Sequence, residues 1–499
     1  MRSRKLLFVL LLFGLLNALA ASLPRLAPKD AVLVLYTQNL GIKKPFLTDF
    51  ALALKREGLT LEDLIKLLGG EEIPEDDEEA RIFFELFTLD TVGREGLIAL
   101  YPDLSLLILA RPSAARAPEI LEKFKRLVDE PKEVAGWKVG EMSDGVLLGY
   151  RDDTLLLAFA PSTEGGHLAL RVIDPAYPKG VELPLTGDLS AYLDPTPLYP
   201  LLGVKELEAF KGYASSFNIV RQGLEGRSLF LLDPEVSPEL AGPFLTRCRP
   251  WPLDELPQAD AVTSLCFPFK KLIEGVLALL DLEEEAAGFD PAVIGDRLAL
   301  FQVYPEEAEP ADALDKPLGD MLILLESPEP LTAEANLLGL LQVLAAASTP
   351  EGEGGFKVSR YQVGPYTGKK VTLGLGQPLF LFVLEDRLAL ASSEAAAEIL
   401  THPPLAEDQA FALRRYLYPE DAVAESFSRI APAFRLAAKQ LLVTPLFVEE
   451  AEDIQAAMEF AKRLARFLEF VAERAGYGVG YTQITGNARA GRQLLELRW

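Results

Sequence analysis

The chain has 499 residues, 49% of them hydrophobic, and carries 74 acidic against 49 basic side chains, for a formal net charge of −25. That length allows two to four domains, and the composition excludes a disordered chain. The charge excludes nucleic acid as a partner, because affinity for a phosphate backbone rests on Lys and Arg neutralising phosphates.

The first twenty residues read as a signal peptide. Arg2, Arg4 and Lys5 form a basic start, residues 6–16 are apolar apart from Gly14, and Ala18-Leu19-Ala20 is a small-x-small cleavage site. Cleavage is expected before Ala21. The apolar run is short for a membrane span, and no later stretch reaches the ~18 uncharged apolar residues of one. A protein exported to the periplasm or the extracellular space is expected, with no transmembrane segment in the mature chain. Retention of residues 1–20 as an anchor is the alternative. His, Asn, Met and Cys are all scarce, which is the bias of a heat-adapted composition.

After a Pro-rich entry, residues 31–36 read as a buried strand. Leucines recur at helical spacing over residues 46–69. The acidic run 71–79 lacks the alternating ligands and central Gly of a calcium loop and reads as a solvated lead into a helix. Residues 96–101 and 104–110 are strands joined by Pro102-Asp103. Residues 118–128 are a helix with Pro118 in its first turn. The tetrad Gly136-Trp137-Lys138-Val139 precedes an apolar hairpin over residues 146–160, turned at Arg151-Asp152-Asp153. Residues 171–185 read as extended, residues 190–210 as short helices and turns, and residues 213–232 as a hairpin turned at 222–226.

The pattern then restarts. Asp260-Ala261-Val262 echoes Asp30-Ala31-Val32, and residues 322–328 echo 106–112. A helix over residues 333–347, capped by Thr332, follows the echo. Gly355-Phe356-Lys357-Val358 echoes the first tetrad, Asp386 echoes Asp153, and Gly491-Arg492 echoes Gly226-Arg227. Each echo is weak alone; their common order implies a duplication. The expected organisation is a signal peptide (1–20), a first α+β repeat (21–233), a Pro-rich linker (234–257) and a second repeat (258–499). An extra amphipathic helix over 449–475 is capped by Gly476. The fold class is α+β: two similar halves, each a mainly antiparallel sheet with helices on one face. Cys248 and Cys266 stand 18 positions apart; export permits a disulfide between them, and two free thiols are the alternative.

Common catalytic signatures are missing. His167 sits in a Gly-rich loop and His402 before two prolines, and neither has a nucleophile as a local companion. No paired-His zinc signature occurs. Gly364–Lys370 is too short for a phosphate loop and lacks Ser or Thr after the Lys. Catalytic, metal and cofactor-binding residues are therefore expected to be none, and no cofactor is expected.

The Leu23-Pro24 start, the Asp30-Ala31-Val32 and Asp260-Ala261-Val262 strands and the apolar hairpins resemble a family of exported bacterial proteins of unknown function with two tandem α+β halves. That resemblance implies no activity or site residues. The expected function is a non-enzymatic cell-envelope protein with a binding or structural role, carrying a lipid or other apolar ligand between its halves or binding an envelope protein. The alternatives are a secreted carboxylate-dependent hydrolase of glycosidase type and an inhibitor or assembly chaperone.

Overall fold

A computed structural model of the chain describes residues 23–38, 52–53, 55–58, 94–112, 117–127, 131–143, 145–160, 168–174, 176–203, 205–221, 223–271, 291–305, 318–348, 356–373, 377–443 and 451–497. The signal segment, the acidic run 71–79, His167 and most of the helix expected over 46–69 lie outside them. The chain divides into two compact units, residues 1–232 and 233–498. The fold is α+β, with antiparallel sheet in each unit.

The first unit's strands are β1 (Leu33–Gln38), β2 (Glu95–Leu100), β3 (Leu106–Arg111), β4 (Lys132–Val134), β5 (Trp137–Ser143), β6 (Val146–Arg151), β7 (Thr154–Phe159), β8 (Leu189–Leu193), β9 (Phe210–Val220) and β10 (Gly223–Leu232). They pair antiparallel in the order β10-β9-β8-β1-β2-β3-β7-β6-β5-β4. The central strands are apolar along their whole length because both faces are covered. Leu97, Ala99, Leu107, Leu109, Leu156 and Ala158 pack with Leu23, Ala27 and helix α2 (Leu168–Ile173). The alternate residues Ile98, Ile108, Leu155 and Leu157 meet Ile120, Phe124 and Leu127 of helix α1 (Ala117–Leu127). Each such Leu or Ile contributes roughly 1.5–3 kcal/mol by leaving water. The helices thus lie on both faces of the sheet rather than on one.

The second unit holds β11 (Ala261–Cys266), β12 (Arg297–Val303), β13 (Asp320–Glu326), β14 (Lys357–Val363), β15 (Tyr366–Thr372), β16 (Leu379–Val383), β17 (Arg387–Ala391), β18 (Ala424–Arg429), β19 (Ala475–Thr485) and β20 (Ala488–Leu497). Their order is β20-β19-β18-β11-β12-β13-β17-β16-β15-β14, again antiparallel throughout. Taken strand for strand, this is the connectivity of the first unit. The prolines of residues 234–257 do not keep that stretch irregular, since helix α3 (Pro238–Leu245) starts on Pro238 and carries Pro243 inside it. Helix α4 (Pro330–Ser348) packs with Val293, Leu381 and Leu388 on one face of the sheet. Helix α5 (Glu394–Glu398) joins Phe301, Phe380, Phe382 and Trp251 on the other. Helices α6 (Ile430–Leu441) and α7 (Ala451–Arg474) pack on each other.

Several expected elements take another form. Residues 168–173 are helix α2, because Leu168, Ala169, Val172 and Ile173 all face the core at helical spacing. Residues 189–193 are β8, held between β1 and β9. Helix α4 begins at Pro330, so Thr332 lies inside it, bonded to Glu329 at 3.0 Å instead of capping the helix. Gly476 is not a helix cap: α7 runs straight into β19, and a Cβ at Gly476 would meet the Glu496 Cβ at 3.1 Å. The β9–β10 turn is tighter than expected, pairing Val220 with Gly223. The two tetrads also differ in position. Gly136, at φ +80°, turns β4 into β5, whereas Lys357 and Val358 open β14.

A cationic cavity at the entry of the first unit

The entry segment is stitched into the first unit from its first described residue. Leu23 and Ala27 are fully buried. Pro24 O accepts from Val181 N at 2.9 Å, Ala27 O from Gly180 N at 2.9 Å, and Pro178 O from Lys29 N at 3.3 Å. Pro28 forms an antiparallel bridge with Lys179. Proline suits such a segment: it has no N–H to leave unsatisfied, and its fixed φ is compatible with the turn that Leu26 N closes onto Leu23 O at 2.9 Å.

Between this stitched pair and the end of β1 lies a cavity of about 460 Å³. Arg25, Lys29 and Lys179 line it, with Tyr36, Gln38 and Glu182. Three cations thus face one carboxylate in a chain whose overall charge is −25. Among the described residues no ion pair engages Arg25, Lys29 or Lys179. Burial pushes Lys179 below its ordinary value; Asp174 works against that and nearby Arg151 adds to it. Burial, with a smaller contribution from Glu95, pushes the Tyr36 phenol up to about 12. The phenol therefore stays protonated and is available to donate. The lining can do one kind of chemistry well, which is to offer several N–H and O–H donors to an oxyanion.

A second cavity of about 470 Å³ lies along α1, lined by Arg94, Pro118, Leu121, Glu122, Lys125 and Asp153. Its charges are already matched: Arg94 meets Asp153 at 2.6 Å, and Lys125 meets Glu122 at 2.5 Å. It lacks the unpaired charge of the first.

Asp153 and Asp386 stay at their hairpin turns, the latter bonded to Arg387 at 3.0 Å. Asp152 takes the left-handed φ of +52° that lets the two-residue turn close. Lys138 lies 5.9 Å from the Tyr150 ring, and Lys357 is exposed on β14. His402 is exposed, with Nδ1 2.8 Å from the Gln258 carbonyl. Cys248 and Cys266 are bonded, with 5.6 Å between their Cα atoms. The loop they close seats Trp251 in the core of the second unit, with the guanidinium groups of Arg297 and Arg387 at 5.4 and 4.5 Å from its ring. Among the described residues no group of three His, Cys, Asp or Glu is placed to hold a metal ion.

No family model matches the chain, and no curated protein matches it. Among solved structures, crystal forms IV and III of the protein TP0453 align with a TM-score of 0.22 each. They are 10% and 11% identical, over 42% and 43% of this chain and 79% and 80% of theirs. A likeness of that size carries no argument about function. Among the described residues no helix is long and apolar enough to cross a membrane.

Sequence reasoning missed the cavity. Its cations come from two segments far apart in the chain and form no local motif. The one shared signal was the prolines in both stretches, Pro24 and Pro28 in one and Pro178 in the other.

Proposed function

We propose that this chain is an exported, non-enzymatic protein of the cell envelope, and that its first unit binds an anionic ligand in the cationic cavity. The two units, in this reading, descend from one duplicated α+β module, and only the first builds its entry segment into a binding site. The supporting observation is the lining itself: Arg25, Lys29 and Lys179 carry charge that no ion pair among the described residues satisfies. Unpaired positive charge held together costs stability, and a chain this acidic has carboxylates in plenty to relieve it. Leaving it unrelieved favours a ligand from outside.

The test is calorimetric titration of the mature chain with a panel of small anions, inorganic phosphate, sulfate, citrate and acetate among them. Binding of at least one member at a single site, lost in Lys29→Glu/Lys179→Glu, is the expected result. A flat response to the whole panel would remove this reading. Native mass spectrometry of protein purified without added anions would show whether a ligand travels with it.

A further inference from the structure

The cavity's charge and donors narrow the ligand further, on the premise that it is a binding site. Three cations and one carboxylate give the lining a formal charge of +2. A monoanion such as a single carboxylate leaves half of that unmatched, whereas a dianion cancels it. A phosphomonoester carries about −1.5 to −2 at neutral pH and presents three strong acceptor oxygens on one centre.

The backbone sharpens the match. Pro28 pairs with Lys179 across the bridge, and Lys29 N bonds Pro178 O at 3.3 Å. Lys179 therefore stands opposite Pro28 and Lys29 opposite Pro178, so the two lysines lie diagonally across two hydrogen-bonded segments and both reach the cavity lining. Val181 N bonds Pro24 O at 2.9 Å, which fixes Arg25 on the same paired stretch. Two ammonium groups and a guanidinium supply charge-assisted donors from two sides, and the guanidinium fork suits two oxygens of one phosphoryl group. Tyr36, only 2% exposed, is part of the lining. Gln38 and Thr186 add neutral donors. A cavity of about 460 Å³ also leaves room for part of the organic group that carries the phosphate.

We infer that the cavity is a site for the phosphoryl group of a phosphomonoester, bound by Arg25, Lys29, Lys179 and the Tyr36 hydroxyl. The same group is offered by a soluble phosphoester and by the headgroup of a lipid such as phosphatidic acid. The lining does not separate the two sources, so the experiment does.

The mature full-length chain is titrated with glycerol 3-phosphate and, separately, with succinate as a dianion of different shape. It is also sedimented with vesicles of phosphatidylcholine alone and with vesicles containing one fifth phosphatidic acid. Glycerol 3-phosphate is expected to bind one site, at least tenfold tighter than succinate. Lys29→Glu/Lys179→Glu is expected to weaken it at least 100-fold, and Lys179→Arg by less than tenfold. Tyr36→Phe, which keeps the buried ring, should weaken it several-fold. Circular dichroism and melting confirm that each variant is folded. Binding to glycerol 3-phosphate without vesicle capture assigns a soluble phosphoester. Capture by phosphatidic acid vesicles alone, lost in the double variant, assigns the headgroup. Succinate or citrate binding as tightly as glycerol 3-phosphate overturns the phosphoryl assignment while leaving the anion cavity standing. Binding by none of the anions or vesicles removes both.

Discussion

Removal of the Cys248–Cys266 bond tests how the second unit is held together. The cysteines are 18 positions apart, and a cross-link closing a loop of that size restricts the unfolded chain by about 3 kcal/mol. The loop is not slack. Trp251, Leu253 and Leu256 are 2%, 1% and 0% exposed, all seated in the same core as Val262 of β11. The bond at Cys266 thus fixes the near end of a stretch whose side chains are already buried. Melting of a unit this large moves roughly 2–4 °C per kcal/mol, so reduction should lower the second unit's transition by about 6–12 °C. Calorimetry of the oxidised chain, the reduced chain and Cys248→Ala/Cys266→Ala is the assay. The reduced chain separates the cross-link from any packing change at Cys266, which is 1% exposed. Transitions within 2 °C of each other across all three samples would refute the reasoning, as would two thiols found free by alkylation of the untreated protein.

Three further outcomes follow from the same geometry. Glu425 is half-buried, and burial pushes its carboxyl above the usual range despite the Leu253 amide and Arg249. A carboxyl whose folded value lies above its unfolded value costs stability where it is ionised in both states, so the cost is largest at neutral pH, declines as pH falls below the folded value and is gone below the unfolded value. Glu425→Gln should therefore raise the urea midpoint at pH 7 and leave it unchanged near pH 4. Arg414 forks onto Glu496 at 2.7 and 2.6 Å, with both side chains largely buried, and stacks 4.5 Å from the Tyr477 ring. Arg414→Lys keeps the charge but loses the fork and the stacking, and should cost about 1–2 kcal/mol by denaturant titration. Ala135 holds φ +51° in the β4–β5 turn. That conformation costs a residue with a Cβ about 1–2 kcal/mol, and the flexibility of glycine offsets roughly half, so Ala135→Gly should stabilise by about 0.5 kcal/mol.

Much of the sheet was legible because turn chemistry marks its hairpins. Asp152-Asp153 and Glu385-Asp386 fall between strands, within the turns read from the sequence, while Arg151 ends β6 paired with Thr154. The correspondence of Gly226-Arg227 with Gly491-Arg492 also holds by position, since each follows its turn at the same register. Alignment of the central strands was harder. Residues 322–328 were matched to 106–112, which sets Leu322 beside Leu106. The structure sets Arg297 beside Glu326 and Glu95 beside Arg111, equivalent cross-strand ion pairs at the same end of the two sheets. Arg111 therefore answers to Glu326, one residue from the sequence match. A strand apolar on both faces has no alternation to reveal a one-residue slip. The pair also exchanges its signs between units, so residue likeness points away from it. The cavity was invisible for a related reason. Arg25, Lys29 and Lys179 are ordinary surface residues until the Pro28–Lys179 bridge brings their segments together.

The buried seat of Leu23 bears on the cleavage expected before Ala21. A protease that cuts before Ala21 must grip an extended stretch on both sides of the bond, and Leu23 is the third residue beyond the cut. In the folded unit Leu23 is 0% exposed, and Pro24 is already bonded to Val181. A cut there would set processing and folding in competition for the same few residues: it would have to come while the first unit is still open, because the folded unit withdraws Leu23 and Pro24 from a protease's reach.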